Sequence, residues 1–584
     1  MMRRTVRRRP LAPPNPADPD TPAPTPGVAG PGRVATGCAD RASTAVDALR
    51  PQPVALPTGF RVALDRGARW TGDGTALIGG SPLRVLRLTP AGRDLVGRLA
   101  SGEPVPPAEG AQRLARRLLD AGLAHPRPPA PAAAPDLAVV IPVHDDADGL
   151  RATLAALRRP QAAAGGSDPT GIAGRAGPTA VADDGPGVPV VVVDDASAVP
   201  VTVGAGGAGG VAVVRRARQG GPAAARNDGW RATGAELVAF VDANCEPDTG
   251  WLDTVLPHFG DPLVAAVAPR IVPAPHPAAP GWLAAYEDGG SPLDLGAGEA
   301  IVRPRSPVAY VPTAALVVRR AALEALGGFD ESLTVGEDVD FVWRLAAAGW
   351  TIRYEPRATV RHPMRPTVAA WLAQRYRYGT SAAALARRHG AAVAPAVVSP
   401  RTAAAWALVA AGHPLAGASA AASSVAVLTG AVPRRRSPGP SGRGHPQAVS
   451  PPPEPAVGLP PRDAVRLAGA GLARGGLALA RAVRRAWAPA AVVLAVASRR
   501  SRPALAAAVL VPSAVEWRRR RPRLDPVRFA ALHLADDLAY AAGVWAGCGR
   551  ERSARALWPD LGGARRDGAR QTGGSRSPSS GGRA

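Results

Sequence analysis

Acidic residues close three predicted strands in the middle of the chain. They are Asp194 and Asp195 in VVVVDDAS, Asp242 with Asn244 in AFVDANCEP, and Glu337, Asp338 and Asp340 in GEDVDF. At the carboxyl ends of strands in an open α/β sheet, side chains face the ligand crevice instead of the core. Carboxylates and a carboxamide gathered there offer hard oxygen donors to a divalent cation, Mg²⁺ or Mn²⁺. A further carboxylate without a metal can take a proton from an acceptor hydroxyl. In Asp242-Ala243-Asn244, the alternation of a strand turns both polar side chains to one side, where they can address a single ion.

These residues need a sheet to hold them. AVVIPVH (138–144) is a continuous apolar run of strand length, as in a parallel strand buried on both faces. A helix over 149–158, then VVVVDD, VAVVRR, a helix over 223–233 and ELVAFVDAN carry the alternation on. The pattern predicts an α/β fold with a doubly wound, mostly parallel sheet over 136–385. The Gly-, Ala-, Pro- and Asp-rich stretch 160–189 is expected to be a disordered insertion in it.

Ahead of the sheet, 54–126 reads as a small α+β, winged-helix-like domain. It has strands over 60–65, 75–80 and 83–89, followed by helical spacing that puts Leu114, Leu118, Leu119 and Leu123 on one stripe. The pattern leaves open an accessory packing role or a peptide-binding one. Residues 1–53 are expected to be disordered, and 126–135 to be a Pro/Ala linker. Beyond the sheet come an Ala-rich apolar helical segment (386–433), a linker (434–461), a helical C-terminal region (462–561) and a disordered tail (562–584). Within these, 402–432 carries no formal charge, and the apolar runs 486–498 and 503–515 are bounded by arginines, so contact with a membrane surface stays open.

The net charge of +24 is carried without a single lysine. Arginine clusters at 3–9, 434–436, 499–502 and 518–521 lie outside the predicted catalytic sheet, which argues for solvated or membrane-adjacent faces and against a nucleic-acid partner. Cys38, Cys245 and Cys548 are too few and too scattered for a disulfide framework or a zinc site, which suggests a cytoplasmic setting. Prolines 10, 13, 14 and 16 stand where a secretory signal would need an apolar run.

In order along the chain, AVVIPVHDD, VVVVDDAS, GPAAARNDG, AFVDANCEP, GGFDESLTVGEDVDFVWRLAAAGW and QRYRYG resemble the motif series of family 2 glycosyltransferases with the GT-A nucleotide-sugar fold. The resemblance implies a nucleotide-sugar donor whose base and ribose meet Asp146 and Asp195, with Arg226 and Asn227 also at the nucleotide. It implies a metal held by Asp242 and Asn244, with His362 as a further ligand. The family usually has a second aspartate where Asn244 stands; the carboxamide keeps an oxygen donor but removes one negative charge, so weaker metal binding is expected. Glu337 and Asp338 match the family's acidic pair, which makes Asp338 the base of an inverting transfer. Gln374, Arg377 and Tyr378 resemble the acceptor and diphosphate motif, with Tyr for the usual Trp. The residues also admit plainer roles: helix caps for Asp146, Asp195 and the 337–340 acids, an exposed Arg226, and a structural His362.

LPTGFRVALDRGARW, ALIGGSPLRVLRLTPAGRDLV and ARRLLDAGLAHPRP look like the small peptide-binding domain of peptide-derived cofactor pathways. Fused to this transferase pattern, they resemble the glycosyltransferases of the mycofactocin system. That likeness implies UDP-glucose as donor, and as acceptor a hydroxyl of a peptide-derived redox cofactor or its growing glycan. Two alternatives stay open: a membrane-associated transferase of cell-envelope polysaccharide or glycolipid, and a degenerate transferase that only binds a precursor. A nucleotidyltransferase is disfavoured because IPVHDDADG lacks a Gly-rich basic phosphate loop.

Overall fold

The computed structural model describes residues 55–158 (Ala132 aside), 188–203, 210–429 and 459–562. The segments expected to be disordered or linkers at 1–53, 160–189, 434–461 and 562–584 lie wholly or largely outside the described residues, as do Cys38 and the arginines of 3–9 and 434–436.

The N-terminal unit is a mixed strand-and-helix cluster with its own core. After β1 (Arg61–Leu64), β2 (Arg69–Trp70), β3 (Ala76–Gly79) and β4 (Arg84–Arg87) form a three-stranded antiparallel sheet. Helices α1 (Pro90–Ala100) and α2 (Glu109–Asp120) follow, and Leu95, Val96, Leu99, Leu118 and Leu119 join Leu77 and Leu86 in one cluster. Thr89 caps α1 by accepting from the Gly92 N–H, with Pro90 at the first helical position. The strand β5 (Ala124–Arg127) then returns to pair antiparallel with β1. The sequence reading missed β5, because AHPR has neither alternation nor β-branched residues and its proline resembles the linker that follows.

The large sheet has nine strands. In chain order the elements are β6 (Leu137–Val143), α3 (Ala147–Leu157), β7 (Val190–Asp194), β8 (Val211–Arg215), α4 (Gly221–Arg231), β9 (Leu237–Val241), β10 (Glu246–Pro247), α5 (Trp251–Val255), β11 (Val264–Ala274), α6 (Gly281–Glu287), β12 (Ala300–Ile301), β13 (Ala315–Arg319), α7 (Arg320–Leu326), α8 (Glu337–Ala347), β14 (Thr351–Pro363) and α9 (Val368–His389). Spatial order is β10-β14-β11-β13-β9-β6-β7-β8, with β12 on β14. Strands β6, β7, β8, β9, β11 and β14 run one way; β10, β12 and β13 run against them. The apolar strands are buried on both faces: Val139 and Ile141 of β6 face one core cluster and Val140 the other.

Among the described residues six helices follow: α10 (Pro400–Ala410), α11 (Pro414–Leu428), α12 (Pro461–Arg485), α13 (Ala488–Ala497), α14 (Arg502–Arg520) and α15 (Pro526–Arg550). The uncharged run from 402 is therefore not one segment but a helical hairpin, broken at Gly412 and Pro414. Among the described residues no helix is long and apolar enough to cross a membrane. Helix α15 lies almost backbone to backbone on α9: a Cβ on Gly543 would sit 2.0 Å from the Tyr376 carbonyl oxygen. Buried charges fasten the same contact. Arg375 of α9 is paired with both Glu287 and Asp536 (3.0 Å to the latter), and the Tyr286 hydroxyl donates to Asp536 at 3.1 Å.

The N-terminal unit docks where the parallel strands begin. Arg116 binds Asp261 through two nitrogens (2.6 and 3.2 Å), and Arg127 forks onto Glu299 (2.7 and 2.8 Å). Asp261 precedes β11, and Glu299 precedes β12, which pairs with the early part of β14.

Candidate active site

At the opposite end of the sheet, β6 and β7 leave side by side, and their exits are stitched together. The Asp195 N–H donates to the Val143 carbonyl at 2.8 Å, the Asp145 N–H to Ser197 Oγ at 3.0 Å, and the Ala198 N–H to Asp145 Oδ1 at 2.7 Å. Asp145 and Ala196 both take positive φ, 51° and 58°. Such strain in non-glycine residues persists only where surrounding contacts over-determine it, and it concentrates at functional sites. Asp194 is fully buried. Burial pushes its carboxyl up, but hydrogen bonds from Ser197, Val201 and Arg215 outweigh this and hold it below the usual range.

Two expected nucleotide contacts turn out to be occupied within the protein. Asp195 accepts from the Gly220 and Gly221 N–H groups (2.9 and 2.8 Å) and pairs with Arg216 (2.9 Å), so it fixes the start of α4. Asn227, 1% exposed, donates to the Phe329 carbonyl and Glu331 and accepts from the Phe329 N–H and Trp230 Nε1, which uses its whole carboxamide as a pin for the 329–331 loop. Asp146 also caps a helix, accepting from the Gly149 N–H at 2.9 Å, but it stays half-exposed at the mouth of the stitched loops.

Arg226 is the hinge of the site. Its guanidinium, 3% exposed, donates to Asp242 Oδ1 at 2.7 Å and to Glu337 Oε1 at 3.0 Å, so it joins the end of β9 to the start of α8. The expectation of Arg226 at the nucleotide becomes a position between two carboxylates. Glu337, expected as a catalytic partner, holds this arginine. Burial works against the charge, but Asp242 and Glu337 more than restore it and raise Arg226 above its ordinary value.

The Asp242–Asn244 pair does not sit on a strand as expected. β9 ends at Val241, and the Cys245 N–H donates to the Asp242 carbonyl at 3.0 Å to close a turn. Burial still alternates through that turn: Val241, Ala243 and Cys245 are buried, while Asp242 and Asn244 are half-exposed. β10 then pairs Glu246 with Arg361, so His362 falls beside this turn. Its Nδ1 faces the Pro363 carbonyl at 2.9 Å, which fixes the proton there and leaves the Nε2 lone pair free. Burial lowers the imidazole below its ordinary range although Asp242 pulls the other way. No group of three His, Cys, Asp or Glu side chains suited to a metal gathers among the described residues. The donors are one carboxylate, one carboxamide and one imidazole, a set that fits a divalent cation when a diphosphate completes its shell.

Gly336 makes the turn into α8 at φ 87°, where a Cβ would meet Ser381 Cβ at 3.0 Å. These acids do not close a strand as expected: the positive-φ turn starts a helix instead and puts Glu337, Asp338 and Asp340 in its first turn, where the helix dipole favours negative charge. Asp340 is buried on Arg344 (2.7 Å) and His389 (2.8 Å) and takes a structural role. Asp338 differs. Burial and then the Glu337 carboxylate push it up to about 7, against the Val339 N–H and Arg226, which pull it down.

The acceptor side was only partly legible. Gln374 is buried; its carboxamide satisfies its neighbours when Oε1 accepts from Arg365 (3.2 and 3.0 Å) and from the Tyr378 hydroxyl (2.8 Å). Arg377, expected on the same side, is exposed on the outer face of α9, and the buried arginine of QRYRY is Arg375. Tyr310 was missed altogether. Its hydroxyl is raised by burial and by the nearby Asp338, Tyr378 and Tyr540, and Arg485 stacks 4.1 Å over the Tyr540 ring. Tyr540 and Arg485 come from α15 and α12, and no motif in the sequence points to them. A cavity of about 490 Å³ opens beside the 332–335 loop, lined among others by Thr334, Ser381, Arg387, Arg388 and Arg550.

Comparison with known proteins decides what this crevice belongs to. Residues 138–324 match the model of glycosyl transferase family 2, and 237–437 that of glycosyl transferase family group 2. The chain is 41% identical over 515 residues to the pre-mycofactocin glycosyltransferases of two Mycobacterium tuberculosis strains, CDC 1551 / Oshkosh and H37Rv, covering 87% of this chain and 98% of theirs. The chain belongs to the family 2 glycosyltransferases. Within them this transferase is similar to the mycofactocin-system enzymes, with the GT-A sheet described above. Among solved structures it is similar to a mannosyltransferase of Pyrobaculum calidifontis in complex with GDP-Man and Mn²⁺ (18% identity, 51% of this chain and 77% of that one, TM-score 0.30). It is also similar to residues 1–349 of S. aureus TarS in complex with UDP-GlcNAc (18%, 39% and 59%, TM-score 0.27).

Proposed function

We propose that this transferase moves a hexose, glucose from UDP-glucose, to a hydroxyl of a mycofactocin precursor or its growing glycan, with inversion at the anomeric carbon. The observation that carries the reading is Asp338, a carboxyl pushed up to about 7 and held through Glu337 and Arg226 one step from Asp242. The names of the 41%-identical relatives support the acceptor class.

In the reaction, Asp338 takes the proton of the acceptor hydroxyl as its oxygen bonds to the anomeric carbon. The bond from that carbon to the diphosphate oxygen breaks, and the nucleoside diphosphate leaves with the electron pair. A base whose pKa lies near the working pH contributes about 10² to 10⁴ in rate. Asp242, Asn244 and His362 are assigned as ligands of Mn²⁺ or Mg²⁺, which would neutralise charge on the leaving diphosphate. Asp146 and the stitched 145–198 loops take the base and ribose; Asp195 positions them through the start of α4. Gln374, Arg365, Tyr378 and Tyr310 form the acceptor wall.

Residues 54–126 are assigned to peptide recognition. Their docking at the amino end of the sheet sets a condition on that role. Between Thr351 and His362, at about 3.3 Å per residue, β14 separates the two ends by on the order of 35 Å. A peptide held there must reach that far or serve only to recruit the acceptor.

The test is release of nucleoside diphosphate from a panel of UDP- and GDP-sugars with Mn²⁺ or Mg²⁺, with and without precursor extract. UDP-glucose is expected to give precursor-dependent release that Asp338→Asn abolishes. Release no greater than that variant's for every donor would defeat the proposal.

A further inference from the structure

Helix α13 is unusual among the helices of this chain. Its ten residues, APAAVVLAVA, carry no polar side chain, and none of them is buried. Val492, Val493, Leu494 and Val496 are 64, 68, 46 and 76% exposed. On α14 Leu510, Val511 and Val515 are exposed as well, and so is Leu415 of α11. The turn between α11 and its preceding helix touches the tip of the α13–α14 hairpin, since a Cβ on Gly412 would lie 3.9 Å from Arg500 Cβ. Exposed aliphatic surface of this extent marks an interaction site on a folded protein.

The charges around the face say what covers it. From 486 to 515 there is no acidic residue. Arg499, Arg500 and Arg502 crown the hairpin tip, and Arg518 and Arg521 stand at the far end of α14; all five are exposed. Among the described residues, Arg499, Arg500, Arg518 and Arg521 make no ion pair, whereas Glu516, the first acid after the run, is buried on Arg481, Arg519 and Arg520. A homodimer through this face would bring these arginines against one another. An anionic surface would pair them while it takes up the valines.

We infer that the α13–α14 hairpin lies on an anionic lipid surface, its valines in the acyl boundary and its arginines at the headgroups. At about 1.5 Å per residue, the ten residues of α13 reach roughly 15 Å, half of the ~30 Å hydrocarbon core, so the hairpin lies in the interface without crossing it. Because α12 and α15 of the same helical region carry Arg485 and Tyr540 to the acceptor wall, docking would hold the crevice close to the membrane.

The experiment is co-sedimentation of the full chain with vesicles of phosphatidylcholine alone or with phosphatidylglycerol. Binding is expected only to the anionic vesicles and to weaken with salt. The triple variant V492D/V493D/V496D should lose more than tenfold in partitioning. Each arginine of 499, 500 and 502 changed to serine should lose about fivefold. Donor hydrolysis and the circular-dichroism spectrum of these variants, which lie outside the crevice, serve as folding controls. Equal binding to neutral vesicles, or none to anionic ones, would overturn the inference. So would a stable dimer that the triple variant dissociates without any vesicle binding, since a second copy would then own the face.

Discussion

The two ends of the large sheet use paired arginines in opposite ways. At the amino end, Arg116 and Arg127 meet Asp261 and Glu299 pair by pair and fasten one unit to another. Near them Arg353 is buried, with Nε and Nη1 unpartnered, and burial lowers it to about 10. At the carboxyl end a single guanidinium, Arg226, serves two carboxylates, and a third, Asp338, is left with only partial compensation. The first arrangement spends its charges on stability, and the second leaves one proton poised. The signature of the carboxyl end is an imbalance, more carboxylate than cation around one buried guanidinium.

The strongest break of that imbalance is Asp338→Asn, expected to cut precursor-dependent transfer by about 10² to 10⁴ while the thermal midpoint stays or rises, because a carboxylate repelled by Glu337 is removed. Arg226→Ala should cost about 3 kcal/mol of stability by leaving Asp242 and Glu337 unpaired in a buried setting. It should also move the acid limb of kcat/KM to higher pH. In the wild type activity is expected to rise as Asp338 deprotonates, and Arg226 is one of the groups that hold its carboxyl down. A pH profile unchanged by Arg226→Ala would show that another group sets the limb.

Arg116→Ala is the control at the other end. Thermal unfolding should show a loss of about 2 kcal/mol, with kcat for donor hydrolysis unaltered. Gly543→Val probes the link between transferase and C-terminal helices: with the Tyr376 carbonyl 2.0 Å from the new Cβ, α15 must move, and both midpoint and acceptor-dependent rate should fall. The smallest effect is expected from Asn244→Asp. The added charge should lower the Mn²⁺ concentration for half-maximal activity severalfold, read by titration, with little change at saturating metal.

Much of the fold was legible because apolar runs such as AVVIPVH and VVVVDD suit only strands covered on both faces, and the helices between them dictate parallel pairing. The short elements β2, β5, β10 and β12 were not, since two to four residues are too few to carry a period. In the site, Asp242, Asn244 and Asp338 could be singled out by type and order alone. Their neighbours could not, because a hydrogen bond between residues 111 apart, as from Arg226 to Glu337, leaves no trace in local spacing.

By itself, then, the sequence determined an α/β sheet with carboxylates at the ends of β7 and β9, since residue order and apolar periodicity are local, whereas the 337–340 acids open a helix instead. Tertiary structure decided which of them are already paired within the protein. Asp195 and Asn227 are consumed by loop contacts, Glu337 by an arginine and Asp340 by Arg344 and His389, while Asp338 keeps its proton affinity. The physical reason is that burial and partner charges, which set a carboxyl's pKa, depend on what the rest of the chain brings within a few ångströms.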